Sequence, residues 1–384
     1  QFPYASAAGL VFDSGDYEPT LHRALEMVDH DAVRAEQARR RDAGEATQLG
    51  IGIATYVEMC GLAPSRTLAA LNYSAGGWES ATVRILPTCK VQVVSGCSPH
   101  GQGHETSWSM IVADKLGIDP GDVEVLHSDT AISPLGLDTY GSRSAANGGT
   151  AIAMATDRVV DKARLIAAHL LEANPEDLEL TDATFRVRGT PGKEVALATV
   201  AFGAFTAHDL PDGMEPNLEA QVTYDPPNFV FPFGTHVAVV EIDEQTGHVR
   251  LVDYAAVDDC GNQINPLIVE GQLHGGILQG VAQALWEEAI YDADGQIHSA
   301  SLTDYLVPSA METPSFKLDH TVTPSPTNPL GVKGVGEAGT IGSAAAVMNA
   351  VIDALTPYDI SDLDMPASPE RVWNAIAATK GVRA

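Results

Sequence analysis

Apolar and polar positions alternate along some stretches of this chain and recur every three to four residues along others, so strands and helices are both expected. Leu21, Leu25, Val28 and Val33 share one face of a charged helical stretch over about 17–42. Strands are expected at 51–57, 80–85 and 91–94, the last ending at Gly96. A helix over about 105–116 then carries Trp108, Ile111, Val112 and Leu116 as its apolar stripe. Beyond a strand at 123–126, a long amphipathic helix covers about 151–173 and is stopped by Asn174-Pro175. Residues 179–187 suggest a hairpin. After the Pro/Gly-rich stretch 210–216, strands at 218–224, 235–242 and 249–257 alternate, with the turn Gln245-Thr246-Gly247 between the last two. A helix over 266–287 places Leu273, Ile277, Val281 and Leu285 on one face, while Gly275, Gly276 and Gly280 allow close packing. Helices at 340–355 and 369–379 finish the chain, which holds no internal repeat and no low-complexity segment.

This order is α+β, not a regular βαβ array. A single core stops growing near ~250–300 residues, so a chain of 384 residues predicts two lobes of mixed β-sheet flanked by helices, at 1–215 and 216–384. Composition adds limits. Hydrophobic residues make up 45% and the mean hydropathy is −0.01, ordinary for a globular protein. A net charge of −29 argues against nucleic acid or an anionic membrane surface as partner. No apolar run reaches the about 18–20 residues of a membrane span. Cys60, Cys89, Cys97 and Cys260 form no CxxC pair, so the spacing of an iron–sulfur or structural zinc site is missing. They read as buried thiols in a reducing, cytoplasmic compartment. No signal-peptide pattern opens the chain. It begins at Gln1 without a methionine, which reads as a piece of something longer or a processed subunit.

The densest chemical signal lies at 331–342, where one carboxylate, Glu337, sits among five glycines just before a helix. Glycine weakens helices and strands by roughly 0.5–1 kcal/mol but lets backbone approach a ligand, so the cluster points to a loop holding a carboxylate against a ligand. Gly334-x-Gly336-x-x-Gly339 formally matches a dinucleotide fingerprint, yet proline-rich coil precedes it and a turn stands where the second strand belongs. His100-Gly101-Gln102-Gly103-His104 opens a helix, whose free N–H groups and dipole suit an anion. A structural turn, or a metal held by the two histidines, is the competing account. Gly141-Ser142-Arg143-Ser144 offers hydroxyls, amides and a guanidinium, or simply a capped helix start. Asp258-Asp259 could bind a divalent cation, or cap the turn before Asn265-Pro266. Gly96-Cys97-Ser98-Pro99-His100 lacks the last glycine of a hydrolase elbow.

Three glycine loops feeding helices suggest one extended ligand touched by backbone from several sides. Together with 258–276, the stretches 100–106, 138–144 and 333–342 resemble, in order and across the chain, the molybdenum hydroxylases. This family includes xanthine oxidase and aldehyde oxidoreductase, and the nearest resemblance is to the aerobic carbon monoxide dehydrogenase branch. It covers only the C-terminal half of the family's large subunit. The N-terminal half, with its glycine-run loop and the copper-holding cysteine loop of the CO-oxidising branch, would belong to another chain or piece.

The resemblance implies molybdenum–molybdopterin cytosine dinucleotide as cofactor, with [2Fe–2S] and FAD centres on an iron–sulfur and a flavin subunit. Glu337 would be the general base that deprotonates the molybdenum-bound hydroxyl. Gln102 would contact the metal's oxo ligand or the pterin. His100, Gly101, Gly103, His104, Thr106, Gly141, Ser142, Arg143, Ser144, Gln272, Lys333, Gly334 and Val335 would line the cofactor. No residue of this chain is expected to ligate the metal. The substrate would be an aldehyde, an N-heterocycle or a CO-like molecule. Ala338-Gly339 replaces the Ser-Pro pair usual in the CO-specific branch and leans towards the first two. Two other functions stay open: an NAD-dependent dehydrogenase using the 334–339 loop, and a non-catalytic subunit of the same fold.

Overall fold

The computed structural model describes residues 1–381. A short ribbon, β1 (Tyr4–Ala5) with β2 (Val11–Phe12), precedes α1 (Glu18–Met27), α2 (His30–Ala43), β3 (Thr47–Val57) and α3 (Ser65–Ala70). Then come β4 (Glu79–Ile85), β5 (Val91–Ser95), α4 (His104–Leu116) and β6 (Val123–Leu126). A π-helical turn over Ala145–Gly149 runs into α5 (Thr150–Leu170), followed by β7 (Leu178–Thr181), β8 (Thr184–Val187), β9 (Glu194–Ala196) and α6 (Leu197–Thr206). The remainder is β10 (Leu218–Tyr224), β11 (Phe233–Asp243), β12 (Val249–Asp259), α7 (Pro266–Leu285), β13 (Lys317–His320), α8 (Ala338–Leu355) and α9 (Pro369–Thr379).

Two four-stranded mixed sheets carry the fold, ordered β10-β4-β5-β6 and β13-β12-β11-β3, beside a small β7-β8-β9 sheet. Mixed sheets flanked by helices are what the sequence predicts. The expected division at 215/216 is not what the strands do. β3 pairs along its whole length with β11, and β10 pairs with β4. Each sheet thus borrows a strand from the other side of that boundary, because an alternating strand joins whichever edge offers it a buried face.

Period-two alternation explains the layers of the second sheet. Leu49 and Ile51 of β3, with Val237 and Val239 of β11, pack on Ala24 of α1 and on Val28 at its C-terminal end. On the other face, Ala238, Val240 and Ile242 of β11 meet Ile277 and Val281 of α7 and Val347 and Val351 of α8. Gly50 and Gly52 occupy the α8-facing positions of β3. A Cβ at Gly52 would stand 2.1 Å from the Ala346 carbonyl oxygen, so glycine there lets helix backbone lie directly on the strand. In the first sheet, Val83, Val91 and Val93 pack beneath Trp108 and Val112 of α4 and Ile152, Val159 and Ile166 of α5.

Three expectations are corrected. The helix over 17–42 is two helices, broken where Asp29 takes φ +52°, because α1 lies on β11 and β12 while α2 lies along β3. α6 escaped notice because exposed Phe202 and Phe205 mask the buried set Leu197, Val200, Ala201 and Ala204. Finally, Ala338–Tyr358 is long and apolar enough, by length and composition, to cross a membrane, with a mean hydropathy of 1.4. Its apolarity has a local cause: α8 packs against α7, β3 and β11, so few of its positions need to be polar.

Glycine positions separate packing from propensity. We expect Gly52→Ala to lower unfolding free energy by about 1–3 kcal/mol through overpacking. Gly203→Ala in α6, where a Cβ meets nothing within 4 Å, should be neutral or stabilise by about 0.4–1 kcal/mol. Urea denaturation of the two variants beside the parent chain measures the contrast.

Candidate functional site

Four helical N-termini point into one cavity. The 102–108 stretch opens α4, 139–145 leads into the π-helical turn before α5, 260–272 opens α7, and 332–337 leads into α8. Together they line a space of about 240 Å³. Unpaired N–H groups and the positive ends of helix dipoles at such a junction favour anionic groups such as phosphate. Asn265 caps α7, accepting the Ile268 N–H at 3.1 Å, and so fixes one wall.

The 331–337 loop is held from below by backbone. Lys333 N–H donates to the Cys260 carbonyl at 2.7 Å, Val332 bridges Gly261, and the Asn328 amide donates to the Val332 carbonyl at 2.9 Å. At Gly334 the loop crosses the 141–144 stretch so tightly that a Cβ would come within 1.9 Å of the Ser142 carbonyl oxygen. No side chain fits there. The crossing brings Ser142, itself at φ +51°, against Glu337. The Ser142 hydroxyl donates to Glu337 Oε2 and accepts the Glu337 N–H at 3.1 Å. Glu337 is half-buried, and burial raises its carboxyl above the usual glutamate range.

The predicted residues divide into groups. Gln102, His104, Ser142, Arg143, Ser144, Gln272, Lys333, Gly334, Val335 and Glu337 all line the cavity. Gln102 spends its side-chain oxygen on the His100 N–H, which leaves its amide nitrogen as the free donor. His104 is buried on Trp108 with ring centroids 4.8 Å apart, and burial lowers its pKa to about 4, so the ring is neutral. His100 is exposed, so the two histidines form no metal pair. Among the described residues no group of three or more His, Cys, Asp or Glu is placed to hold a metal.

His100, Gly101, Gly103 and Gly141 shape the loops without lining the cavity themselves; Gly101 accepts the Gln272 amide at 3.4 Å. Thr106 does not line this cavity. It faces solvent on α4, and Ser107 takes the inward position.

Arg143 and Lys333 are corrected in orientation. The Arg143 guanidinium is fully buried, paired with Glu79 at 2.8 Å and donating to the carbonyls of Gly77, Trp78 and Asp138. Lys333 turns its ammonium into the protein, 4.0 Å from Asp259 and 5.0 Å from the Phe233 ring centre, with no hydrogen-bond partner. Burial lowers its pKa. Asp259 serves as a turn acceptor for the Gly261 N–H at 2.9 Å, and Asp258 accepts the Tyr56 hydroxyl at 2.6 Å.

One acidic residue behind the Glu337 wall of this site, outside the cavity lining, escaped the sequence reading. Glu58, just past β3, is 9% exposed and close enough to Ser142 and Glu337 for both to act on its carboxyl. Burial, then the Glu337 charge, push that carboxyl up to about 7. The available signal was a carboxylate inside the apolar run Val57-Glu58-Met59-Cys60.

A polar ligand fits these walls. His104 Nδ1 and Trp108 Nε1 are buried without hydrogen-bond partners, an arrangement that costs about 1–3 kcal/mol per group unless something else bonds them.

Comparison with known proteins meets this geometry. Residues 23–314 match the family model of the molybdopterin cofactor-binding domain. The chain is 44% identical over 377 residues to the carbon monoxide dehydrogenase large chain of Hydrogenophaga pseudoflava, covering 98% of this chain and 46% of that one. It superposes on a crystal structure of the Cu,Mo-CO dehydrogenase with a TM-score of 0.94 at 38% identity, covering 100% of this chain and 48% of the other. For quinoline 2-oxidoreductase from Pseudomonas putida 86 the TM-score is 0.91 at 40% identity, with coverage of 98% and 47%. The chain therefore spans about half the length of the relatives it matches.

The buried Arg143–Glu79 pair gives a direct test of what holds the 139–145 wall. Removing one partner of such a pair costs about 3–5 kcal/mol, because a charge stays buried alone. Arg143→Ala should shift the denaturation midpoint accordingly. Arg186→Ala, at an exposed pair with Glu194, should change stability by no more than about 1 kcal/mol.

Proposed function

The chain belongs to the molybdopterin cofactor-binding family of the molybdenum hydroxylases, and from that premise we propose that it supplies one half of a hydroxylase active site, with Glu337 as general base. The observation that carries this reading is the convergence of four distant loops on one cavity, with a half-buried carboxylate at its wall oriented by a serine hydroxyl. When bound, a molybdenum–pterin group supplies two-electron oxidation of an electron-poor carbon, with water as oxygen source. The residues of this chain do the rest. Amides at the starts of α4, α7 and α8 receive phosphate and pterin edges, the Gln102 amide nitrogen donates into the cavity, and His104 stays neutral. Glu337 takes up a proton, and its raised pKa brings it nearer the neutral range where a general base works best. The small neighbours Gly336 and Ala338 leave that carboxylate room to reach a reacting group.

The cytosine dinucleotide form of the cofactor, the [2Fe–2S] and FAD centres on partner subunits, the N-terminal half of the molybdenum subunit and a cytoplasmic setting complete the proposal. Ala338-Gly339 favours an aldehyde or an N-heterocycle as substrate over a CO-like molecule. Gly339 also carries a packing reason: a Cβ there would lie 2.7 Å from the Ile277 nitrogen and the Leu273 carbonyl oxygen of α7. A nicotinamide-binding reading is weaker, since the glycine loop follows an isolated bridge at Val332 and not a parallel strand.

Metal and flavin analysis of the complex copurifying with this chain tests the assignment, with molybdenum and a pterin nucleotide expected. Glu337→Gln should keep molybdenum content near that of the parent and lower kcat by at least about 10²-fold. Because the base must be ionised, kcat/KM should fall as pH drops through the raised Glu337 pKa. Turnover within a few-fold of the parent would remove Glu337 from its role.

A further inference from the structure

Four polar side chains lie together on the sheet face that α8 covers: Tyr56 of β3, His236 of β11, and Tyr254 and Asp258 of β12. Tyr56, Gly234 and Asp258 form one row across the three strands. A Cβ at Gly234 would collide with Asp258 Oδ1 and stand 2.9 Å from the Tyr56 ring. Glycine there lets the two side chains meet over the middle strand, with the Tyr56 hydroxyl donating to Asp258 Oδ1 at 2.6 Å. In the next row His236 is flanked by Ala54 and Ala256. Its Nε2 lies 3.2 Å from Asp258 Oδ1, and its Nδ1 lies 2.7 Å from the Tyr254 hydroxyl. His236 and Tyr254 are fully buried and Asp258 nearly so.

Hydrogen-bond accounting fixes the tautomer. Burial pushes both tyrosine hydroxyls up, so each keeps its proton. Among the described residues the Tyr254 hydroxyl has one hydrogen-bond acceptor, His236 Nδ1. That nitrogen therefore accepts, and the hydrogen of the ring sits on Nε2, facing Asp258. An imidazolium would donate from both nitrogens and leave the Tyr254 hydrogen buried without a partner.

α8 crosses this face one turn per row. Gly50 meets Ala350 and Ala354, Gly52 meets Ala346 and Ala350, and the His236 ring meets Gly342, where a Cβ would stand 2.6 Å from Nδ1. The following row, Tyr56 to Asp258, thus falls beneath the first turn, whose positive dipole end favours a carboxylate. Glu337, the N-cap, makes no side-chain capping bond of its own. It lies between two anchors of one segment: Lys333, whose N–H donates to the Cys260 carbonyl two residues past Asp258, and Gly342 on the His236 ring.

We propose that His236 is a positioning residue for Glu337: as the neutral Nε2–H tautomer it joins Tyr254 to the Asp258 carboxylate and forms the floor on which the 333–342 segment rests. The role rests on Glu337 acting as general base; the tautomer does not.

Four forms of the assembled, cofactor-loaded complex test this: the parent, His236→Gln, His236→Leu and Tyr254→Phe. Solid-state nitrogen-15 spectra of histidine-labelled complex, with His236→Gln assigning the signal, should show one protonated and one bare ring nitrogen at His236. In Tyr254→Phe the bare nitrogen should move towards the position of one that accepts no hydrogen bond. His236→Leu, which gives no donor, should lower kcat by about 10- to 10²-fold with KM within about two-fold of the parent and molybdenum content maintained. Glutamine, which keeps a donor towards Asp258, should restore most of that loss.

A ring protonated on both nitrogens, or a bare-nitrogen signal unmoved in Tyr254→Phe, overturns the tautomer. Turnover of His236→Leu within a few-fold of the parent, or glutamine no better than leucine, overturns the role. Should leucine prevent folding, the glutamine and Tyr254→Phe forms decide. A fully active Glu337→Gln would count against the base, whereas an inactive Glu337→Gln beside a fully active His236→Leu would count against this inference only.

Discussion

Two stretches of chain, 141–144 and 333–337, cross with backbone against backbone, and the site depends on that contact. At Gly334 there is no room for a single methyl group beside the Ser142 carbonyl. The closeness puts a serine hydroxyl on the Glu337 carboxyl, and it also closes one wall of the cavity. Hydrogen bonds to Cys260 and Asn328 hold the lower strand of the crossing, and the Arg143–Glu79 pair holds the upper one. Buried charge is therefore spent on geometry: four hydrogen bonds fix one fully buried guanidinium.

Helix ends supply the electrostatics that the side chains do not. The chain is strongly acidic, and the two cationic side chains at the cavity wall are turned away from it. Within this chain, attraction for an anionic ligand would come from N–H groups at the starts of α4, α7 and α8 and from neutral donors such as the Gln102 amide. Neutral donors carry a second benefit. They leave the acid–base balance of Glu337 to its own burial, which raises its pKa, and to the backbone N–H groups of the 141–142 crossing and of its own residue, which lower it.

Much of this arrangement was legible in the residues. Alternation located the strands of both large sheets, and glycine-rich loops next to helix starts marked three of the four cavity walls. What escaped reading shares one cause: it depends on which distant segment lies alongside. Arg143 and Lys333 look like ligand-binding cations until Glu79 and Asp259 are seen beside them. Glu58 looks like an ordinary strand-end carboxylate until its burial and the nearby Glu337 charge are seen. Thr106 and Ser107 differ only by the 100° that separates neighbours on a helix, too fine a distinction when the helix start is uncertain by a residue.

The exchange of strands across the middle of the chain also orders events during synthesis. β3 is made before β11, its one partner in the sheet, whereas β4 pairs at once with β5 and waits for β10 only on its other edge. α8, which covers the glycine face of β3, emerges later still. A nascent chain must therefore carry β3 unpaired while residues 58–232 are made, a hazard for aggregation. The cavity is likewise complete only once the 332–337 loop, the last of its four walls in chain order, has been made, so a group that needs all four walls meets three of them already in place.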